Sequence, residues 1–405
     1  MNNADREVFE EALRECATER IHQIGHIQPH GATLVFEADA RHAVRQASEN
    51  LADFVDLSTG SVIGQPLTAL LGEPATTQVG GLIRIARTKQ SANGVLAVTR
   101  AGVPIELQAH VYAANGHWVL EIERDEGTHQ EAQLAQLQLQ FQQTLLEFDS
   151  DADLAQYLNE ITKLVRKLTG YDSVMVYQLN SSWDGEVMAQ DKVEAAPSYL
   201  GLHFPASDIP PQARRLYTVN LVRIVADVDA QPVLISPVLN PATGEPLDMT
   251  YSALRSLSPI HLQYLRNIGV SASMVISLMQ DGRLWGMVAC HHMTPKRVSI
   301  AMREAAIFIS RMISSKLSGI AAIEQRAKVD QANGLVNELV KSMAIDDEAI
   351  ALEKLMPRLI SLLDATGVIV VIDGQPHVLG ATPDMEAVRA LLDWLAACRT
   401  YARNW

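Results

Sequence analysis

The sequence predicts an α+β protein of two or three domains strung on long helices, and three observations predict it. At 405 residues the chain exceeds what one ordinary core organises. Short segments of strand composition with partial period-two alternation recur in two regions, with helical segments between them. After Arg297 the pattern turns helical for about 45 residues, on the order of 65 Å of helix and longer than one domain requires.

In chain order, 32–37, 94–100, 104–112 and 117–124 read as strands, the last two joined by the hairpin-like turn A-A-N-G. This is a compact antiparallel sheet with interleaved helices. Half of Gln130 to Gln143 is glutamine, yet Leu134, Leu137, Phe141, Leu145 and Phe148 keep a helical stripe, so this stretch reads as a connecting helix. A second domain opens with the amphipathic helix carrying Leu154, Leu158, Ile161, Val165 and Leu168, and Gly170 stands just past its end. Strands follow at 171–179, 273–279 and 283–292, around a long middle of loops and helices. The helical stretch after Arg297 reads as a spine between domains or a dimer seam, although its register is not a clean heptad. From about 344 a third unit reads as helix 347–363, strands 367–372 and 376–380, and a helix from Pro383 to about Cys398. Two short strands do not make an independent sheet, so the chain is expected to stop inside this unit.

Charge and composition narrow the function. A formal charge of -14 disfavours phosphate-backbone binding, which needs a basic footprint, so nucleic acid is not an expected partner. The N-terminus is acidic and lacks the apolar core of a secretory signal, and the longest apolar runs fall far below the roughly 20 residues of a membrane span. A cytoplasmic protein without a membrane partner is the expectation. Cys16, Cys290 and Cys398 fit neither a disulfide framework nor a zinc knuckle.

Enzyme signatures are absent: there is no G-x-S-x-G elbow, P-loop or dinucleotide glycine fingerprint. His22, His26 and His30 have the four-residue spacing of helical metal ligands, but Gly25, Pro29 and Gly31 oppose a helix there, so no metal site is expected. His291 and His292 end a strand and point to opposite faces, which prevents joint chelation.

The segments P-A-S-D-I-P-P-Q-A-R-R-L-Y (205–217), S-P-I-H-L-Q-Y-L-R-N-I-G (258–269) and W-G-M-V-A-C-H-H (285–292) resemble the chromophore-binding GAF domain of phytochromes. The start, C-x4-I-H-x4-I-Q-P-H-G from Cys16, is similar to that of bacterial phytochromes, and the first sheet resembles a PAS domain. The resemblance divides the chain into an N-terminal extension with the chromophore cysteine (1–20), a PAS domain (21–125), a linker helix (126–148), a GAF domain (149–297), a spine helix (298–343) and a partial PHY domain (344–405). It implies a red/far-red photoreceptor, not an enzyme, that signals to an output domain not contained in these residues. It also implies a homodimer through the GAF and spine helices.

The cofactor implied is biliverdin IXα, a linear tetrapyrrole. Plant-type relatives attach their bilin at the position of Ile260, so the resemblance shifts attachment to Cys16, whose neighbours Glu15 and Glu19 are expected to raise its thiol pKa. Arg223 and Arg255 can pair with one propionate through their planar forks, and Ser258, Ser271 and Ser273 can offer hydroxyls to the other. Asp208, beside Ile209, and His261 are the implied proton-handling residues. His291 is implied to bond the ring D carbonyl, with Tyr177, Phe204 and Tyr264 walling the ring D cavity and Tyr217 in the same pocket. Light would isomerise the C15=C16 bond. The resemblance further implies that the N-terminal segment threads a GAF loop in a figure-of-eight knot centred on Ile27.

Bland readings compete with each assignment: Asp208 as a helix N-cap, the arginines as surface charges, the aromatics as core, Cys290 as a buried small hydrophobe. Ile24, His26 and Val275 depart from the family pattern, and no P-R-x-S-F segment occurs. The alternative function is a PAS and GAF module that senses another ligand without photochemistry or only dimerises; a thiol-dependent enzyme resting on Cys16 is a third class.

Overall fold

The computed structural model describes residues 18–39, 41–55, 62–124, 154–344, 348–372 and 374–402, with Leu139 and Gln143. Cys16 and nearly all of the glutamine-rich connecting segment lie outside the described residues.

The first sheet has seven strands. Five are local: β2 (Gly31–Glu37), β3 (Val44–Ser48), β4 (Ser91–Arg100), β5 (Val103–Ala114) and β6 (His117–Arg124), in the antiparallel order β3-β2-β6-β5-β4. Their inward residues Leu34, Phe36, Leu107, Leu120 and Ile122 meet helix α1 (Leu67–Lys89), whose Leu71, Ala75, Val79, Leu82 and Ala86 recur every three or four residues along one face. The β5–β6 turn places Asn115 and Gly116 at positive φ, 49° and 77°, as a two-residue hairpin turn requires. The other two strands come from elsewhere. β1 (His26–Ile27) pairs with β11 (Val233–Ser236), and β11 pairs with β3.

The first strand thus lies inside a loop of the next domain. Gly25 and His22 carbonyls accept from Ile235 N (3.0 Å) and Met249 N (2.7 Å), while Gln28 N donates to Leu254 O (2.8 Å). Residues 22–28 are therefore bonded on one side to β11 and on the other to 249–256, two arms of one loop. Ile27 is fully buried between them, against Val35, Tyr112, Ile235 and Leu254. This is the threading expected of the N-terminal segment.

The second domain starts with α2 (Leu154–Thr169), closed by Gly170 at φ 64° and a Gly170 N to Arg166 O bond of 2.8 Å. Its sheet runs β10 (Val222–Val225), β12 (Ala272–Gln280), β13 (Arg283–His292), β7 (Ser173–Leu179), β8 (Gly185–Lys192), β9 (His203–Phe204), antiparallel throughout. Period-two alternation gives it two faces. Val174, Val176, Met274, Ile276, Val288 and Cys290 face α2 and the start of α5 (Ile300–Met343), where Ser310 Oγ donates to Ser277 O and Ser314 Oγ accepts from Met279 N. The opposite face carries the candidate site, roofed by α3 (Pro211–Val219) and α4 (Pro259–Asn267).

Gly319 and Gly334 do not interrupt α5, which runs 44 residues. By length and composition alone α5 is apolar enough to cross a membrane, which no contiguous apolar run announces. Its stripe Ala305, Ala306, Ile309, Ile313 and Leu317 is buried in the second domain, as in the core helix of a globular domain. From Ser318 onward a separate unit holds the rest of α5, α6 (Glu348–Leu362), the hairpin β14 (Gly367–Ile372) and β15 (Gln375–Gly380), and α7 (Met385–Ala402).

Candidate functional site: a buried cavity on the second sheet

The candidate site is a cavity, partly open to solvent, on the outward face of the second sheet. Its floor is the outward set of three strands: Met175 and Tyr177 from β7, Ser273 and Val275 from β12, and Met287, Ala289 and His291 from β13. The strand register sets Ser273 beside His291 and Tyr177 beside Met287. Walls come from Phe204, Asp208 and Ile209 in the turn before α3, from Tyr217 on α3, and from His261, Tyr264, Leu265 and Ile268 on α4.

Local chemistry explains these placements. The turn is framed by Pro205, Pro210 and Pro211, and Pro211 begins α3, where its missing N–H costs nothing. Asp208 caps neither this helix nor the short 3-10 turn before it, so its carboxyl is left for the cavity, and burial raises its pKa. Ser258 caps α4, accepting from Ile260 N at 3.3 Å, and Pro259 follows it. On α4, His261 and Tyr264 stack at 6.0 Å between ring centroids. Tyr177 leans on Phe204 at 5.7 Å and crosses directly over Gly185, where a Cβ would overlap its ring.

Desolvation governs the titratable groups. It holds the His261 imidazolium pKa down at about 4, helped by the charge of Arg223. It does the same to His291, helped by His261. Both rings are neutral near pH 7, and Nδ1 of His291 is buried with no hydrogen-bond partner. His292 points away and pairs with Asp172 at 2.8 Å, so the two adjacent histidines do face opposite sides.

At the β10 edge two arginines are buried, Arg223 at 9% exposure and Arg255 at 5%. Arg223 Nη2 donates to the carbonyls of Arg255 and Ser256, and Arg255 Nη1 donates to Ile21 O at 2.7 Å. Arg223 Nη1 and Arg255 Nε have no partner. Burial and mutual repulsion push the Arg223 pKa down, and burial does so for Arg255. Neither guanidinium is in ion-pair contact with a carboxylate among the described residues, and a buried cation without such a contact is costly, so an anionic group fits beside them. With the orphaned His291 Nδ1, the donor set fits a ligand that carries a carboxylate.

Of the residues expected from sequence, Tyr177, Phe204, Asp208, Ile209, Tyr217, His261, Tyr264, Ser273 and His291 line one cavity. Arg223, Arg255 and Ser258 flank it without lining it. Ser271 is turned away, its hydroxyl donating to Met293 O at 2.9 Å, because β12 begins one residue later. Cys290 is fully buried on the other face of β13, and burial raises its thiol pKa. His22, His26 and His30 fall on a 3-10 turn, on β1 and opposite Glu123 respectively, with no common face. Missed by the sequence reading were Met175, Met287 and Ala289, which a two-residue step from Tyr177 and His291 indicates, and Leu265 and Ile268, which lie four and seven residues past His261. Tyr199 carries no such signal.

Known proteins resemble this chain along most of its length. The PAS fold profile matches residues 16–125, the GAF domain profile 153–317 and the phytochrome region profile 332–402. The chain is 34% identical over 393 residues to a bacteriophytochrome of Xanthomonas campestris, covering 94% of this chain and 60% of that protein. It is 33% identical over 392 residues to cyanobacterial phytochrome B of Nostoc, covering 96% and 52% respectively. It spans about half the length of the curated relatives it matches. Among solved structures, the phytochrome photosensory core module of Stigmatella aurantiaca aligns at a TM-score of 0.83 and 35% identity, over 94% of this chain and 75% of that one. The chromophore-binding domain of a Stigmatella aurantiaca bacteriophytochrome aligns at 0.69 and 37%, over 75% of this chain and 99% of that one. The chain belongs to the phytochrome family and has the PAS, GAF and PHY parts of a photosensory module.

Proposed function

We propose that this chain is a red/far-red light sensor that binds biliverdin covalently through Cys16 and signals to an output domain, as a homodimer through its GAF and spine helices. The observation that carries the reading is the pair of buried arginines, neither in ion-pair contact with a carboxylate among the described residues, beside a cavity lined by aromatic residues. Domain limits of 21–125, 149–297 and 344–405 for PAS, GAF and PHY go with it.

When bound, the bilin supplies the chemistry: it absorbs red light and isomerises at C15=C16, turning ring D. The chain's residues do the rest. Arg223 and Arg255 would pair with one propionate, and Ser258 and Ser273 would donate hydroxyls toward the other. Ser271 would have to give up its bond to Met293 to take part. Asp208 and His261, which line the cavity, would serve the inner pyrrole N–H groups, and a carboxylate nearby would favour their protonated, cationic form. Neutral His291 can donate from an otherwise unpartnered nitrogen to the ring D carbonyl. Tyr177, Phe204 and Tyr264 line the cavity and would wall ring D.

The test is an absorption spectrum of the biliverdin-loaded chain before and after red light. A strong red band that changes reversibly supports the proposal; a chain with no red absorbance leaves the ligand-sensing alternative, which predicts thermal stabilisation by another small molecule instead.

A further inference from the structure

The turn that carries Asp208 is held from outside the cavity by residues with no assigned part in the site. Arg214, on the first turn of α3, donates from Nη1 to the carbonyls of Ile209 (2.7 Å) and Ala206 (3.2 Å), one on each side of Asp208. Its guanidinium lies over the indole of Trp183, 4.7 Å from the ring centroid. Next to Trp183, Asp184 Oδ1 accepts from Ala206 N at 3.0 Å. All three contacts converge on four residues, and none uses the Asp208 side chain.

The clamp itself is rigidly built. Asn180 Oδ1 accepts from the N–H groups of Ser182 and Asp184, both at 2.9 Å, closing the loop between β7 and β8. This loop sets Trp183 at φ 70°, a left-handed conformation that a bulky residue adopts only where its surroundings enforce it. The enforced conformation puts the indole where Arg214 stacks on it, and stacking limits the guanidinium to the plane that reaches two carbonyls. Arg215, the next residue on α3, is exposed and takes no part.

We propose that Arg214, braced by Trp183, is a positioning residue that fixes the Ala206–Ile209 turn so that Asp208 faces the chromophore. It acts through the turn and touches no ligand. The inference rests on the bilin reading of the cavity. A turn that loses its brace samples other orientations, and a cationic chromophore then loses part of its polar partner set.

The experiment compares the biliverdin-loaded full chain with Arg214→Ala, Arg214→Lys, Trp183→Ala and Arg215→Ala variants. For each, the red band is titrated with pH and the thermal midpoint is measured. Arg214→Ala is expected to lower the pH midpoint at which the red band is lost by about one unit, a tenfold loss of proton affinity. Trp183→Ala should follow in the same direction, and Arg214→Lys should fail to restore the midpoint because an ammonium lacks the planar fork. Arg215→Ala should match the parent chain. Should Arg214→Ala not fold, Arg214→Lys and Trp183→Ala decide the matter by the same shift. An unchanged midpoint and unchanged red-light conversion in folded, pigmented Arg214 and Trp183 variants, even with a lowered thermal midpoint, would mean a merely structural role and overturn the proposal. A parent chain with no red band removes the bilin reading and this inference together, whereas a normal parent with normal variants removes the inference alone.

Discussion

Arg223 donates through Nη2 to the main-chain carbonyls of Arg255 and Ser256, which ties together two buried arginines that flank the cavity with no carboxylate paired to either among the described residues. A folded chain keeps such a pair only at a cost, and an anionic ligand offsets that cost.

Arg223→Met should therefore separate stability from binding. Without pigment, the variant is expected to unfold at higher denaturant concentration than the parent, by about 1–3 kcal/mol, because an apolar side chain of similar length removes an unpaired buried charge. With biliverdin, the stabilisation gained on loading should shrink. Paired denaturation curves with and without pigment check both signs. A variant less stable than the parent in both states would mean that the bonds to the Arg255 and Ser256 carbonyls outweigh the buried charge.

Glu121 gives a pH dependence of opposite origin. Its buried carboxylate accepts from Ser252 Oγ, Ala253 N (2.8 Å) and Leu254 N (3.2 Å), fastening the loop that carries Arg255 to the first sheet. Burial nevertheless raises its pKa from 4.5 to about 7. The folded state then holds a proton that the unfolded state releases, so its stabilising contribution is complete below pH 4.5 and lost as pH rises to 7. The full change is at most about 3 kcal/mol. Glu121→Gln should flatten the stability difference over that window, measured by denaturant unfolding at successive pH values.

The histidines slope the other way. His110, His261 and His291 are each held down to about 4 by burial, so the unfolded chain binds protons below pH 6.5 that the folded chain refuses. Their contribution is present above 6.5 and lost as pH falls through 4. Replacing His291 by Gln should reduce the acid limb of the stability curve by about one proton. A variant with the parent's slope would place the His291 ring in water rather than in the cavity.

Gly185→Ala tests the fit around Tyr177. A Cβ there would lie 1.8 Å from the Tyr177 ring, at the free end of a side chain, so the ring must swing toward the cavity. Pigment attachment should persist while red-light conversion falls, because the swung ring fills space that ring D needs. Conversion equal to the parent's would show that Tyr177 relaxes elsewhere.

Local signals in the sequence carried far. Gly170 announced the end of α2, Asn115 and Gly116 announced a hairpin, and alternation found β7, β12 and β13. β1, β3 and β11 went unread because none is longer than five residues and the pairings involving β11 join chain positions some 190 residues or more apart, such as Ala47 with Ser236. Strand propensity in pieces that short is set by the partner, not by the segment. At the site, motif residues such as Asp208, His261 and His291 were named in advance. The missing counter-ion of Arg223 and Arg255 was not, since the absence of a partner is a property of packing.

The proposed site holds a bilin anchored on Cys16. The most direct test is to mix the apoprotein with biliverdin, denature it, and locate the pigment by zinc fluorescence on a gel and by mass of the Cys16 peptide. A red-absorbing complex is expected whose pigment survives denaturation on that peptide, and the Cys16→Ser variant should lose the covalent bond. A chain that takes up no pigment, or carries it on Cys290 or Cys398, would contradict the proposal.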